Sequence, residues 1–314
     1  MYINATGFYV PAGRVPNQYF LDVNGLTSEW IEKRTGIKTR SKAAPDENLD
    51  TMSKAAIQNA LPKLPYDISE VDLIIAASYS PFDTVATPAH VAQRDYNITN
   101  AKALYLSSAC SSFMNALEVV EGYFAMGKAS KALIISADHN SAYSNESDPK
   151  AGHLWGDAAV AVFISKDRYS ENEGKIVEIY TQGLGHIGKG PEGVHLRPRK
   201  GGIMMPEGKD VFVNACTYMP QNILHLLEKN HFTLDQLSYF IGHQANMRIM
   251  SNIAKQLNLP EERFLSNIEE LGNTGSVSCA LVYAQYVDRF KKGDLVGITV
   301  FGGGYSTGAC LIQF

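Results

Sequence analysis

Cys110 closes the apolar run Ala103-Leu104-Tyr105-Leu106-Ser107-Ser108-Ala109 and precedes a helix-like stretch, Ser111-Ser112-Phe113-Met114-Asn115-Ala116-Leu117-Glu118. A thiol at such a strand-to-helix turn faces unpaired amides and the positive end of the helix dipole, which favours thiolate over thiol. Cys110 is therefore a candidate for covalent nucleophilic catalysis, with a buried structural cysteine as the competing reading of the residue alone. His243 repeats the placement: it stands in Gly242-His243-Gln244-Ala245-Asn246, directly after the apolar run 237–241. The carboxyl ends of buried strands are where α/β folds usually put their chemistry. Asn273, in Leu271-Gly272-Asn273-Thr274-Gly275-Ser276, reads by itself as a turn and helix cap. The run Phe301-Gly302-Gly303-Gly304 lacks phosphate-loop spacing, and close approach of its amides to a ligand or another loop explains it best.

Elements that would position these groups follow from hydrophobic pattern. β-branched and apolar runs at 71–77, 103–106, 132–137 and 158–164 suit strands buried on both faces, with helices over 51–61 and 112–126 between them. After a charged stretch at 168–175 the pattern starts again: a strand at 176–180, helices over 211–230, 246–257 and 276–290, and strands at 237–241, 295–301 and 308–314. The grammar is that of an α/β layered protein built from two similar halves, although no residue-level repeat accompanies it. The segment 183–205, with His186, Lys189, His195, Arg197, Arg199 and Lys200 among many glycines, reads either as a surface loop or as a lid.

Composition narrows the function classes. The 314 residues are 45% hydrophobic, enough for a large core. Lys and Arg number 28 against 32 Asp and Glu, without long runs of one sign, so no nucleic-acid partner is expected. No stretch reaches the roughly 20 apolar residues of a membrane span, and the first residues lack the pattern of a signal peptide, so a cytoplasmic location is expected. The cysteines at 110, 216, 279 and 310 show no paired spacing, so neither a disulfide scaffold nor a metal site is expected.

Six motifs in order resemble the β-ketoacyl-acyl-carrier-protein synthase III family of thiolase-fold condensing enzymes. They are Glu29-Trp30-Ile31 with Arg34-Thr35-Gly36-Ile37; Ala109-Cys110 with Phe113; Trp155-Gly156-Asp157-Ala158-Ala159; Gly242-His243-Gln244-Ala245-Asn246-Met247-Arg248-Ile249; Gly272-Asn273-Thr274; and Phe301-Gly302-Gly303-Gly304. The resemblance implies a duplicated thiolase-like fold in five α-β-α-β-α layers. Residues 1–168 would form the half carrying Cys110, and 169–314 the half carrying His243 and Asn273.

It also implies a chemistry that suits the residue types. Acyl transfer between thioesters needs a soft nucleophile that is also a good leaving group, as a thiolate is. By resemblance, the N–H groups of Cys110 and Gly303 form the oxyanion hole, each such donor being worth about 3 kcal/mol. Neutral His243 and the Asn273 amide would donate to the enolate formed when a malonyl thioester loses carbon dioxide. Trp30 and Arg34 would hold coenzyme A, Gly208, Phe212 and Asn246 would line the pantetheine tunnel, and Arg248 with Lys255 would receive an acidic acyl carrier protein. No metal or redox cofactor is implied. A homodimer is, with an edge strand of the first half in the interface and 80–90 near the partner's acyl pocket.

Some positions depart from the family pattern. Ser111-Ser112 stand where Ala-Gly is common, and Gly275 where Ser is common. Pro149, with Lys150 beside it, aligns with an Arg that covers the adenine, Thr87 with a Phe that crosses the dimer, and Val213 with a basic docking residue. Such changes weaken the case for a housekeeping acetyl primer and leave room for a relative that takes a different or bulkier starter or delivers acyl groups in a secondary pathway. A second enzyme reading passes the acyl group from Cys110 to an oxygen, nitrogen or non-malonyl carbon nucleophile. A non-catalytic carrier-binding protein is a third. A papain-like hydrolase also uses Cys, His and Asn, but the glycine-rich C-terminal segment and Arg34-Thr35-Gly36-Ile37 argue against it.

Overall fold

The computed structural model describes residues 1–314. Its strands are β1 (Tyr2–Tyr9), β2 (Gly13–Pro16), β3 (Thr39–Lys42), β4 (Leu73–Ala77), β5 (Lys102–Leu106), β6 (Lys131–Asp138), β7 (Ala158–Ser165), β8 (Gly174–Gly183), β9 (His195–Arg197), β10 (Gly202–Met204), β11 (Leu237–Gly242), β12 (Leu295–Gly302) and β13 (Ser306–Gln313). The helices are α1 (Tyr19–Asn24), α2 (Ser28–Thr35), α3 (Leu49–Ala60), α4 (Pro88–Asp95), α5 (Ser112–Ala125), α6 (Gly208–Lys229), α7 (Met247–Leu257), α8 (Ile268–Leu271) and α9 (Ser278–Tyr286).

Nine strands pair in the order β11-β12-β13-β8-β1-β7-β6-β4-β5, joined at the centre by only two residue pairs of β1 with β8, Tyr2 with Lys175 and Ile3 with Gly174. Either side of that joint the grammar is the same. On the first side β5 and β6 flank β4 in parallel, and β7 runs antiparallel to both β6 and β1. On the second, β12 flanks β11 in parallel, and β13 runs antiparallel to both β12 and β8. The counterpart of β5 shrinks to one parallel bridge, Phe240 with Phe264.

Helices α3 and α4 cover the outer face of the first side, α6 and α7 that of the second, and α5 and α9 lie between the two. These are the five layers of the thiolase fold. The α3 helix starts at an Asn48–Thr51 capping box and turns Leu49, Met52, Ala56, Ile57 and Ala60 inward at helical spacing. The α9 helix is buried all round from Ser278 to Ala284, as a central layer requires. Strands β4, β7 and β12 are buried throughout, as their continuous apolar runs predict. One strand departs from that expectation: β5 is exposed at Lys102 and only half-buried from Ala103 to Leu106, because it ends the sheet.

Candidate active site

Cys110 sits between β5 and α5 on a tight, strained turn. Ala109 adopts φ +49°, a left-handed conformation that costs a non-glycine residue on the order of 1 kcal/mol and turns the next side chain outward. The N–H groups of Ser111 and Ser112 close the turn on the carbonyls of Ser108 and Ala109, each at 3.1 Å. The Ser112 hydroxyl accepts from the Ser108 N–H at 2.9 Å and donates to the Ala109 carbonyl at 2.6 Å, and Ser111 Oγ lies 2.7 Å from Ser306 Oγ. Gly302, at the end of β12, passes so close that a Cβ there would stand 2.8 Å from that of Cys110.

The expected thiolate is not the resting state. Burial, then the negative charge of Asp138, push the Cys110 thiol up to about 12, against the pull of the N–H groups of Gly303 and of Cys110 itself. Cys110 is half-buried at the cavity, and the cost of desolvating its charged form outweighs the helix end. Those two N–H groups are the ones expected for the oxyanion hole, and they face the sulfur.

His243 follows β11 and is held by its own N–H, which donates to Thr299 on β12 at 2.9 Å. Burial lowers the ring to about 4, so it is neutral at ordinary pH. Its Nδ1 lies 2.7 Å from the Ser278 hydroxyl. Asn273 is tied by backbone to the segment that carries Trp155: its N–H donates to Leu154 at 2.8 Å, and its carbonyl accepts from Gly156 at 2.9 Å. The Gly275 N–H donates to its Oδ1 at 3.0 Å, which turns the amide nitrogen away from that turn.

The three residues are thus gathered by shared supports. Strand β12 holds the His243 backbone at Thr299 and touches Cys110 at Gly302, while the Leu154–Gly156 segment binds Asn273 and walls the cavity at Cys110 through Trp155.

That cavity, about 220 Å³, is walled by Cys110, Gly303, Tyr79, Trp155 and His195 among others, but by neither His243 nor Asn273. Val194, His195, Leu196 and Ile203, which form part of its wall, come from the segment 183–205, whose β9–β10 hairpin closes over Cys110. Most of the segment is nevertheless exposed, so it is a surface loop that also supplies cavity wall. The segment is anchored where Lys189 N–H and the Tyr305 hydroxyl both donate to Asp210 Oδ2, at 2.8 and 2.7 Å. Tyr79 has no motif around it, and Val194 and His195 are visible in the sequence only as part of the 183–205 lid candidate; their place in the cavity wall comes from topology. No three His, Cys, Asp or Glu side chains converge on one point.

The residues expected to bind coenzyme A and carrier lie together elsewhere on the surface. Trp30 is 40% exposed on α2, with the Arg34 guanidinium 5.4 Å from its ring. Gly36, which ends α2, packs on Met247 at the start of α7. Asn246 caps α7 by accepting from the Arg248 N–H at 2.8 Å, and the Arg248 guanidinium lies 5.7 Å from the ring of Phe212 on α6, four residues after Gly208. Arg248 and Lys255 are both exposed, and their seven-residue spacing puts them on one face of α7.

Residues 105–183 match the family model described as 3-oxoacyl-[acyl-carrier-protein] synthase III, and 227–314 match the model of its C-terminal part. A β-ketoacyl-[acyl-carrier-protein] synthase III from Acholeplasma laidlawii is 33% identical over 99% of this chain and 97% of its own length. The chain belongs to the synthase III family. A Clostridium perfringens relative of the same name is 32% identical over 98% of this chain and 97% of its own. The crystal structure of the Aquifex aeolicus synthase III superposes with a TM-score of 0.92 at 31% identity, covering 100% of this chain and 99% of that one.

Against the synthase III pattern, two departures have a local reason. Ser112 staples the Cys110 turn through the two hydrogen bonds given above. Gly275 has φ +67°, and a Cβ there would stand 2.4 Å from both the Tyr79 hydroxyl and Asp138 Oδ2. Thr87, the residue aligned with the Phe that crosses the dimer, has its own packing within the chain. It is buried in its own chain at the start of α4, its hydroxyl 3.0 Å from His90 Nδ1, and the exposed apolar side chains nearby are Phe82 and Val85. Val213 is 52% exposed, an apolar residue on the expected docking face.

Proposed function

We propose that the protein condenses an acyl thioester with a malonyl thioester through an acyl-Cys110 intermediate. Cys110 sulfur attacks the starter carbonyl, the thiol of the donor departs with the cysteine's proton, and the oxyanion formed on the way meets the N–H groups of Cys110 and Gly303. The malonyl thioester then loses carbon dioxide. Its enolate attacks the acyl carbon on Cys110, and the cysteine sulfur leaves.

One observation carries this reading: a polar partner already stands at one end of each group expected beside the nucleophile. Ser278 Oγ lies 2.7 Å from Nδ1 of His243, and the Gly275 N–H donates to Oδ1 of Asn273. With Ser278 donating to Nδ1, what remains are two donors, Nε2–H of a neutral imidazole and the amide NH2. Two donors suit an oxygen that gains negative charge, not removal of a proton from the thiol. Removing either is expected to cost about 2 to 4 kcal/mol in that step.

The starter enters as a coenzyme A thioester held by Trp30 and Arg34, with pantetheine passing Gly208, Phe212 and Asn246. The malonyl group arrives on an acyl carrier protein docked at Arg248 and Lys255. The halves 1–168 and 169–314 act as one homodimer subunit, with β5 at the interface. All four cysteines are unpaired, which suits a reducing, cytoplasmic setting.

Intact-protein mass spectrometry tests the reading. A panel of acyl-coenzyme A donors should add one acyl group at Cys110, and malonyl-carrier protein should then remove it as a β-ketoacyl product. Loading without condensation would mean that another nucleophile is the acceptor, and label on a cysteine other than Cys110 would remove the assignment.

A further inference from the structure

We propose that Asp138 is a positioning residue for Asn273, clamping the turn that aims its amide to the wall of the cavity at Cys110; the inference rests on the condensing reading above. Asp138 ends β6, is fully buried and makes no salt bridge; its partners are all neutral. Oδ1 accepts from the Ser78 hydroxyl at 2.8 Å, the Tyr79 N–H at 3.2 Å and the Ser80 hydroxyl at 2.8 Å. Oδ2 accepts from both the N–H and the hydroxyl of Ser276, each at 2.7 Å.

The two oxygens thus face two different turns. The 78–80 turn carries Tyr79, whose side chain walls the cavity beside Cys110. The Gly275–Ser276 turn supplies the N–H that holds Asn273 Oδ1. Gly275 is pressed between Asp138 Oδ2 and the Tyr79 hydroxyl, with no room for a side chain. Moving the carboxylate therefore releases the support of the Asn273 amide, while the Cys110 turn keeps its own hydrogen bonds to Ser108, Ala109 and Ser306.

Only a carboxylate serves both turns. Each oxygen takes one backbone N–H, which cannot rotate away, so an amide in either orientation would set its NH2 against an N–H. Burying an ion without a counter-ion is costly, and five neutral donors are what offset it here. The charge also opposes ionisation of Cys110, so losing it does not make the thiol less reactive.

The test compares Asp138→Asn with wild type in two separate measurements: single-turnover acylation of Cys110 and release of labelled carbon dioxide from malonyl-carrier protein. Decarboxylation should fall about tenfold to a hundredfold relative to acylation, as for a group displaced by about 1 Å. Alkylation of Cys110 should be unchanged or faster. A smaller change in the ratio, or alkylation that slows with decarboxylation, would overturn the proposal, since a merely structural defect depresses every rate together. If Asp138→Asn does not fold, Ser276→Ala removes one Oδ2 donor alone; it should shift the same ratio about threefold or more, and an unchanged ratio overturns the proposal. A wild-type protein that releases no carbon dioxide would instead remove the condensing reading.

Discussion

Ser278 Oγ lies 2.7 Å from Nδ1 of His243 and accepts the Gln244 N–H at 3.4 Å. The role proposed for His243 requires this hydroxyl to donate to Nδ1, which leaves the ring proton on Nε2. Ser278→Ala should release this tautomer and slow malonyl decarboxylation about fivefold, near the net worth of one hydrogen bond. Acylation should change less than twofold on that argument. Ring ¹⁵N shifts of His243 in the variant should show a mixture of tautomers; a single Nε2–H form would contradict the assignment.

The buried thiol makes a prediction about pH. With Cys110 pushed up to about 12, only about one thiol in ten thousand is ionised at pH 8, and the fraction rises tenfold per unit. Iodoacetamide inactivation of the free enzyme should therefore accelerate steadily from pH 6 to 10 without a plateau. Levelling near pH 7 would show that the helix end and the oxyanion N–H groups win over burial.

Burial of His243 predicts an acid limit to stability. Its folded value, lowered to about 4, lies below the ordinary 6.5, so the unfolded chain binds the extra proton between those values. The stabilisation is present above pH 6.5 and is lost as the pH falls toward 4, at up to about 1.4 kcal/mol per unit. Denaturant midpoints of wild type and His243→Gln across that window should converge as pH falls, and parallel curves would show that the histidine does not carry the dependence.

Gly275 and Tyr79 should be coupled. Gly275→Ala places a methyl group in the left-handed region against two close atoms and should cost about 2 to 4 kcal/mol of stability. Tyr79→Phe removes one of those atoms, so the double variant should be less destabilised than the sum by at least about 0.5 kcal/mol. A double-mutant cycle in urea measures this, and additivity would deny the contact.

Trp30→Ala should raise KM for coenzyme A donors about tenfold while kcat stays within twofold, the worth of one stacked base. A short thioester lacking the nucleotide should be used as before. Equal losses with both donors would mean that Trp30 supports the fold instead.

The sequence made the strands and the Cys110, His243 and Asn273 turns legible because each leaves a local mark: an apolar run that ends in small polar residues. The rest of the cavity wall left none. Tyr79 and His195 reach Cys110 only through strand order and the β9–β10 hairpin, separations of 31 and 85 residues in the chain. The ionisation state of the thiol was equally hidden, since a helix start is visible in residue types and the loss of solvent around a sulfur is not. Ser111 and Ser112 read as departures until the turn showed their hydroxyls bonded within it.

The reduction of one strand to the single Phe264 bridge leaves the two ends of the nine-stranded sheet unlike. At the β11 end, Leu265 N–H and the Arg263 guanidinium already occupy the carbonyls of Phe240 and Leu237, at 3.0 Å each. At the other end of the nine-stranded sheet, β5 pairs on one side only, with β4. In the homodimer proposed above, β5 of one copy would pair with β5 of the other, and such a pair uses both edges and extends no further.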